Sequence, residues 1–385
     1  MSEERQVLGL ICAAVLATIL TLGLWPFHVP ANDVTWLRDR AGLRFGGNST
    51  AISSAALQVP LTEQGGSLEI WLRPGRIWDS GTILAFHSPQ DQSQLLVRQC
   101  QTDLEIETRQ YDWRRSHTER LYADEVFRKA EPIFLTITSG RLGTSIYIDG
   151  ALFKASPQFR LPTKQFTGKM VVGDSPGQTD SWQGQLFGLS VYHRQLEAPE
   201  VTHHYLTWTH EGRPEMAADE HKVALYLFDE RNGSSVRNAV AGPNLEIPAK
   251  YMVLDKIFLE PFWQEFHLSS SYLSSAVKNI VGFVPFGFCF YPYLTALRVR
   301  RAGLTTVLFG SFVSIAIEIL QAYLPTRDSG TTDIFTNTLG TWTGVISYDP
   351  ALSILAAAFP ASRRVTRALG LSCAPRAFGE RNHPV

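Results

Sequence analysis

Surplus charge, cysteine and metal-binding patterns are what this sequence has least of. Its 35 Lys and Arg stand against 36 Asp and Glu, a net charge of −1. The basic excess or stripe of a nucleic-acid binder is missing, and no nucleic-acid partner is expected. The four cysteines are Cys12, Cys100, Cys289 and Cys373. Three lie in or beside apolar stretches, which leaves Cys100 alone in the charged middle of the chain. A lone cysteine closes no internal bridge, so no disulfide framework holds that region. No CxxC pair or His/Cys cluster suggests zinc, and no carboxylate pair has the context of a glycoside hydrolase.

Long apolar runs are confined to the two ends. Residues 7–25 carry no charge, and about 20 apolar residues suffice to cross a bilayer. The run exceeds the core of a secretory signal and ends in Trp25-Pro26-Phe27, the mark of an interfacial anchor, so a retained helix is expected. Further spans are expected at 279–297, at 302–324 and at 333–348, the last continuing past Pro350 as a kinked helix or a partial insertion. Arg298, Arg300 and Arg301 fill the turn between the second and third spans, and Arg363, Arg364 and Arg367 follow the fourth. The positive-inside rule then places both termini in the cytoplasm and the long middle segment outside. The fold class expected is a membrane α-helical bundle of about four spans plus an extracytoplasmic all-β jelly-roll sandwich.

Between Asn32 and Lys250 the chain alternates apolar and polar residues in short runs, as at 67–73, 133–138 and 144–150, with Gly, Pro, Asp and Asn between them. That pattern predicts a sandwich or barrel of many short strands. Ile148-Asp149-Gly150-Ala151 predicts a tight hairpin. "GSLEIWLRPG" (66–75), "TSIYIDGALF" (144–153) and "MVVGDSPGQTDSWQGQLFGLSVYHRQLEAPEV" (170–201) resemble the laminin-G-like, concanavalin A-like jelly rolls. "VALYLFDERNGSSVRNAVAGPNLEIP" (223–248) resembles the opening segment of such domains but comes last here, so a permuted domain is expected, completed by that segment.

The jelly-roll resemblance implies glycan binding, in some cases through calcium. Asp174 and Asp180 flank a Gly/Ser/Pro loop that could supply oxygens to calcium, although the same residues serve simply as turn formers. Trp182, Trp71 and Trp78 are candidates for stacking on sugars, with Trp71 read as core because it lies in an alternating strand.

The terminal spans carry a second resemblance. "TLGLWPF" (21–27), "NIVGFVPFGF" (279–288) and "SFVSIAIEILQAYLPTRDSGTTDIFTNTLGTWTG" (311–344) look like the VanZ-like family, with the β domain in place of a short loop after the first helix. The domain plan expected is residues 1–27 as cytoplasmic start and first helix, 32–250 as the sandwich and 251–274 as connector. Residues 275–360 are the VanZ-like spans and 361–385 a cytoplasmic tail. Ser311, Ser314, Glu318 and Gln321 recur at helical spacing and make one polar stripe, while Asp333, Asn337, Gly340 and Gly344 make a polar and small one. With Asn279 and Arg327, these residues converge toward the outer leaflet, with Glu318 about 9 Å below the outer end of its helix. Ionisable groups inside spans either pair to fix packing or mark a functional site.

The resemblance implies a bacterial plasma-membrane location and a link to the cell surface and, in the family, to glycopeptide (teicoplanin) resistance. The expected function is a non-enzymatic envelope protein whose outer domain binds glycan or polysaccharide. The alternatives are an enzyme or transporter acting on lipid-linked envelope precursors through the Glu/Asp/Arg cluster, and a scaffold that binds another protein.

Overall fold

The computed structural model describes residues 3–59, 65–88, 93–112, 115–212, 214, 221–262 and 270–358. The tail 361–385, with its arginines and Cys373, and part of the expected connector lie outside the described residues. The chain divides into two compact units. One comprises Met1–Phe27, Phe258–Leu324 and Ser329–Val385; the other comprises His28–Ile257 with Pro325–Asp328.

The second unit is a sandwich of two antiparallel sheets. The first sheet has the order β1 (Thr35–Trp36), β2 (Leu43–Phe45), β13 (Gly184–Tyr192), β4 (Gly66–Pro74), β9 (Ile133–Gly140), β10 (Gly143–Ile148), β11 (Ala151–Ser156). β14 (Lys222–Tyr226) also pairs with β13, beside Leu189–Tyr192, while β2 takes residues Gly184–Leu186 of the same strand. The second sheet has the order β15 (Ser235–Val236), β16 (Leu245–Glu246), β3 (Ala51–Ser53), β12 (Lys169–Val172), β5 (Ser80–Ser88), β6 (Ser93–Cys100), β7 (Asp103–Asp112), β8 (Arg115–Ala123). The segment 223–248 therefore contributes to both sheets, adding β14 to the first and β15 and β16 to the edge of the second.

Alternation explains the layers. Leu68, Ile70 and Leu72 of β4 face Leu95, Val97, Leu104 and Ile106 in one buried core, because side chains two apart share a face of a strand. The intervening Glu69 and Trp71 point away from that core toward α2 (Ala198–His210), whose Val201, His204, Tyr205 and Trp208 recur at helical spacing. A reciprocal capping box of Glu197 and Glu200 starts that helix. The hairpin at Asp149-Gly150 has both central residues at positive φ, 51° and 79°, the geometry of a primed turn.

The ends of the sandwich are tied together. Ala31 bridges Lys250, and Tyr251 N donates to Pro30 O at 3.0 Å. The Asn32 amide donates to Thr50 O and Pro248 O and accepts from Thr50 N. Residues 251–257, expected as connector, belong to this unit: Gly177 N donates to Leu254 O and Ile257 N to Gly177 O. Leu254 packs on Ile52, Ala85, Leu96 and Val171, on the face of the second sheet away from the core.

The first unit is helical: α1 (Glu3–Leu24), α3 (Ser270–Ala296), α4 (Ala302–Gln321) and α5 (Thr331–Ala358). Among the described residues, stretches of α1, α3 and α4 are long and apolar enough to cross a membrane. α5 spans 28 residues with Pro350 inside it, so the expected fourth span is one helix, longer and more polar than the other three. α1 joins the bundle through Cys12, which packs with Phe283, Phe286, Val313 and Ile317.

Glycines set the approach of α3 to α5. A Cβ on Gly344 would collide with Val284 O, one on Gly340 with Ile280 O and one on Gly287 with Thr341 O, whereas one on Gly282 meets nothing within 4 Å. Backbone-to-backbone contact of this kind is the use of small residues between membrane helices. Gly344→Ala should therefore sharply lower the monodisperse detergent-solubilised yield on gel filtration, and Gly282→Ala should leave it at the wild-type level. Equal yields would show that α3 and α5 tolerate separation.

Candidate functional site

Several of the polar residues expected within the membrane are hydrogen-bonded between helices. Asn279 Nδ2 donates to Asp333 Oδ1 at 2.7 Å, joining α3 to α5. Asn337 Nδ2 donates to Ser314 Oγ at 2.9 Å, joining α5 to α4, and Ser311 and Thr338 hydroxyls meet at 3.0 Å. Gln321 Nε2 donates to Gly23 O at 2.7 Å, which ties α4 to α1. Glu318, 1% exposed, accepts Gly330 N at 3.0 Å, and Ser329 Oγ donates to its carbonyl. Arg327 groups with the sandwich unit, where its carbonyl accepts Lys256 Nζ. The structure thus links Asn279 with Asp333 and Asn337 with Ser314, and places Glu318 and Gln321 one helical turn apart on α4.

The Gly/Ser/Pro loop flanked by Asp174 and Asp180 turns inward. Asp174 is fully buried. Its Oδ1 accepts the Ser175 and Asp180 backbone N–H groups, and its Oδ2 accepts the Tyr251 hydroxyl at 2.6 Å. Asp180 Oδ2 accepts Thr82 Oγ1 at 2.6 Å and Arg98 Nε at 3.1 Å. Trp182 is 1% exposed and donates its Nε1 to Gln99 Oε1. Of the two readings of this loop, the contacts fit turn formers: these carboxylates satisfy neighbouring donors, and Trp182, a candidate for stacking on sugars, is part of the sandwich core. No group of three or more metal-ligating side chains occurs among the described residues. Glu105 and Glu107, two apart on β7, are similarly occupied, with Arg98 and Arg120 on the first and Arg109 and Arg120 on the second.

A different place is open. Beyond the C-terminal end of α2, a cleft of about 610 Å³ lies on the outer side of the first sheet. The Trp71 and Phe187 rings meet at 5.3 Å, tilted by 59°, and the Arg40 guanidinium lies 4.8 Å and 4.0 Å from their respective centroids. Trp208 and Leu227 also line the cleft, with Asp39, Asp229 and Arg231. Backbone constraints build it. Gly188, at a register shift in β13, lies under the Trp208 ring so closely that a Cβ would collide with it. The 37–42 loop is closed by Leu37 N on Gly42 O and held by Gly42 N on Phe228 O, both at 3.0 Å. Gly42 has φ 146°, and a Cβ there would come within 2.8 Å of Leu37 Cδ1 and 2.9 Å of Leu186 O.

Sequence reading placed Trp71 in the core; it is half-buried and lines this cleft instead. Trp78 is 69% exposed and stands outside the residues that line it. Arg40, Phe187 and Trp208 gave no local motif. The available signal was the pair of aromatics Trp71 and Phe187 on the outward register of adjacent strands.

The fold and these spans define a membrane protein that carries an all-β sandwich. More particularly, residues 223–355 match the VanZ/LLP1 family model and residues 45–202 match that of the concanavalin A-like lectin/glucanases superfamily, so the chain combines a VanZ-like region with a concanavalin A-like domain. The VanZ match starts at β14, inside the sandwich, and leaves α1 outside it.

Similar solved structures include a Bacteroides ovatus protein described as carbohydrate-binding (13% identity, TM-score 0.36, 55% of this chain and 61% of that one). The receptor binding domain of botulinum neurotoxin D is another (15% identity, TM-score 0.33, 46% of this chain and 47% of that one). A third is the binding domain of Paraclostridial Mosquitocidal Protein 1 (13% identity, TM-score 0.32, 46% and 47%). Each match spans less than two thirds of the neighbour's own length. A comparison with curated proteins found no match.

Burial raises the Asp174 carboxyl from 3.8 to about 7, against hydrogen bonds from Tyr251 and two backbone N–H groups that lower it. A carboxyl that holds its proton more tightly when folded binds more protons in the native state than in the unfolded state between the two values. Its contribution to stability is then fully present below about 4 and is lost as pH rises through about 7. That loss is at most about 1.4 kcal/mol per pH unit. Asp174→Asn should gain in melting temperature relative to wild type from pH 4 to pH 7 and level off above. A difference independent of pH would refute the assignment.

Proposed function

We propose that this is a bacterial envelope protein whose VanZ-like helices hold it in the plasma membrane and whose sandwich, on the extracytoplasmic side, binds glycan in the Trp71/Phe187 cleft. The cleft carries the reading. It joins aromatic floor, aromatic wall and a few charged groups in a concave site of the size small ligands use, on a fold whose superfamily includes lectins. The orientation rests on Arg298, Arg300 and Arg301 between α3 and α4, where the positive-inside rule favours the cytoplasm.

Detergent-solubilised full-length protein on a glycan array should bind a defined subset of saccharides. Trp71→Ala should weaken that binding about five- to tenfold, the value of roughly 1–1.4 kcal/mol of aromatic contact, and Trp78→Ala should leave it unchanged. Equal effects from the two variants would remove the cleft from the reading. Binding sensitive to a calcium chelator would return the Asp174–Asp180 loop to consideration.

One observation favours a second reading, chemistry or transport on a lipid-linked envelope precursor. Glu318 is a carboxylate buried in a spanning helix, and intramembrane carboxylates are functional candidates by default. If the carboxylate acts, Glu318→Gln should abolish turnover or movement of a polyprenyl-linked glycan at normal expression. Intact activity would leave Glu318 a packing role through its bond to Gly330 N.

A further inference from the structure

We propose that the cleft selects saccharides bearing an oxyanion, a carboxylate or a phosphate, and that Arg40 is the group that recognises it. This rests on the glycan reading and adds the ligand's charge to it.

The argument begins with what covers the aromatic floor. Arg40 lies over both Phe187 and Trp71, so the ring faces meet the cleft through a guanidinium. Stacking fixes the plane of that group and leaves its N–H edge to other partners. No hydrogen bond or ion pair engages Arg40 among the described residues, although it is half-buried. Burial lowers the Arg40 pKa, and Asp39 offsets part of that without bonding to it. A half-buried cation with no ion pair has lost hydration, which Asp39 offsets only in part. A ligand oxyanion would restore it through two parallel N–H···O bonds, the geometry for which a planar fork is suited.

The other charges fit a sugar that carries such a group. Asp39 and Asp229 are exposed and line the cleft, where their oxygens can accept from sugar hydroxyls. Arg231, held at φ 60°, adds a second cation. Trp208 is 3% exposed and adds an apolar wall to the cleft. The backbone beneath Arg40 is fixed by Gly42, so the guanidinium is presented from a rigid loop.

The test is isothermal titration of the full-length protein in detergent with oligogalacturonate, a neutral oligoglucose of equal length, glucose 1-phosphate, glucose and inorganic phosphate. The expected result is binding of the oligogalacturonate or glucose 1-phosphate about tenfold or more tighter than the matching neutral sugar. Which of the two binds identifies the source of the oxyanion. The preference should shrink with added salt, disappear in Arg40→Gln and survive only partly in Arg40→Lys, with both variants melting as wild type does. Acidic and neutral sugars binding equally would overturn the proposal and leave glycan binding standing. Inorganic phosphate binding as tightly as the sugars would reduce the site to an anion site and overturn it too. If no sugar of either kind binds, the glycan reading itself falls, and this proposal falls with it.

Discussion

The pairing of the sandwich's two ends is the constraint on which the domain organisation depends. Ala31 against Lys250, with the Asn32 amide bonded to Thr50 and Pro248, brings the incoming and outgoing chain to one place. A domain whose ends meet can interrupt another without stretching it. That is what allows α1 to pack with α3 and α4 although the whole sandwich separates them in sequence. The segment 223–248 follows from the same closure, because its strands finish one sheet beside β13 and the other beside β3 before the chain returns to Lys250.

Within the helical unit the close contacts are of two kinds, and they serve each other. Gly287, Gly340 and Gly344 let backbones touch, which brings Asn279 within reach of Asp333. The polar pairs repay that proximity, since a polar group facing hydrocarbon is costly. In the sandwich, polar groups are satisfied by the same logic. Buried Glu69 accepts Ser190, Tyr192 and lies 2.7 Å from His204 Nδ1 beneath α2. Asp174 gathers the loop 174–182 and Tyr251 around one carboxyl. Against this background of paired charges, Arg40 lies over two aromatic rings in the cleft, with no ion pair among the described residues.

Much of this arrangement was legible residue by residue. The alternation in 67–73 and 133–138 became β4 and β9, and the Asp149-Gly150 turn formed as a primed hairpin. The stripe of Ser311, Ser314, Glu318 and Gln321 faces inward on α4, where Ser314, Glu318 and Gln321 are buried. The acidic loop left two readings open for a physical reason. Asp and Gly at a turn look alike in sequence whether their oxygens face water or the backbone, and only the position of Tyr251, far along the chain, decides that Asp174 faces inward.

What the sequence by itself determined is everything that depends on near neighbours. Period-two runs become strands, apolar runs of spanning length become helices, and polar residues three and four apart share one helical face. These are consequences of local geometry, so a window of a few residues contains them. Only the tertiary structure decided the cleft. Arg40, Trp71, Phe187, Trp208 and Asp229 come from separate elements, and no spacing rule relates them. They meet because β13 pairs with both β4 and β14, because Gly188 admits the Trp208 ring, and because Gly42 holds its loop on Phe228. A site built by pairing distant strands exists only once the pairing does.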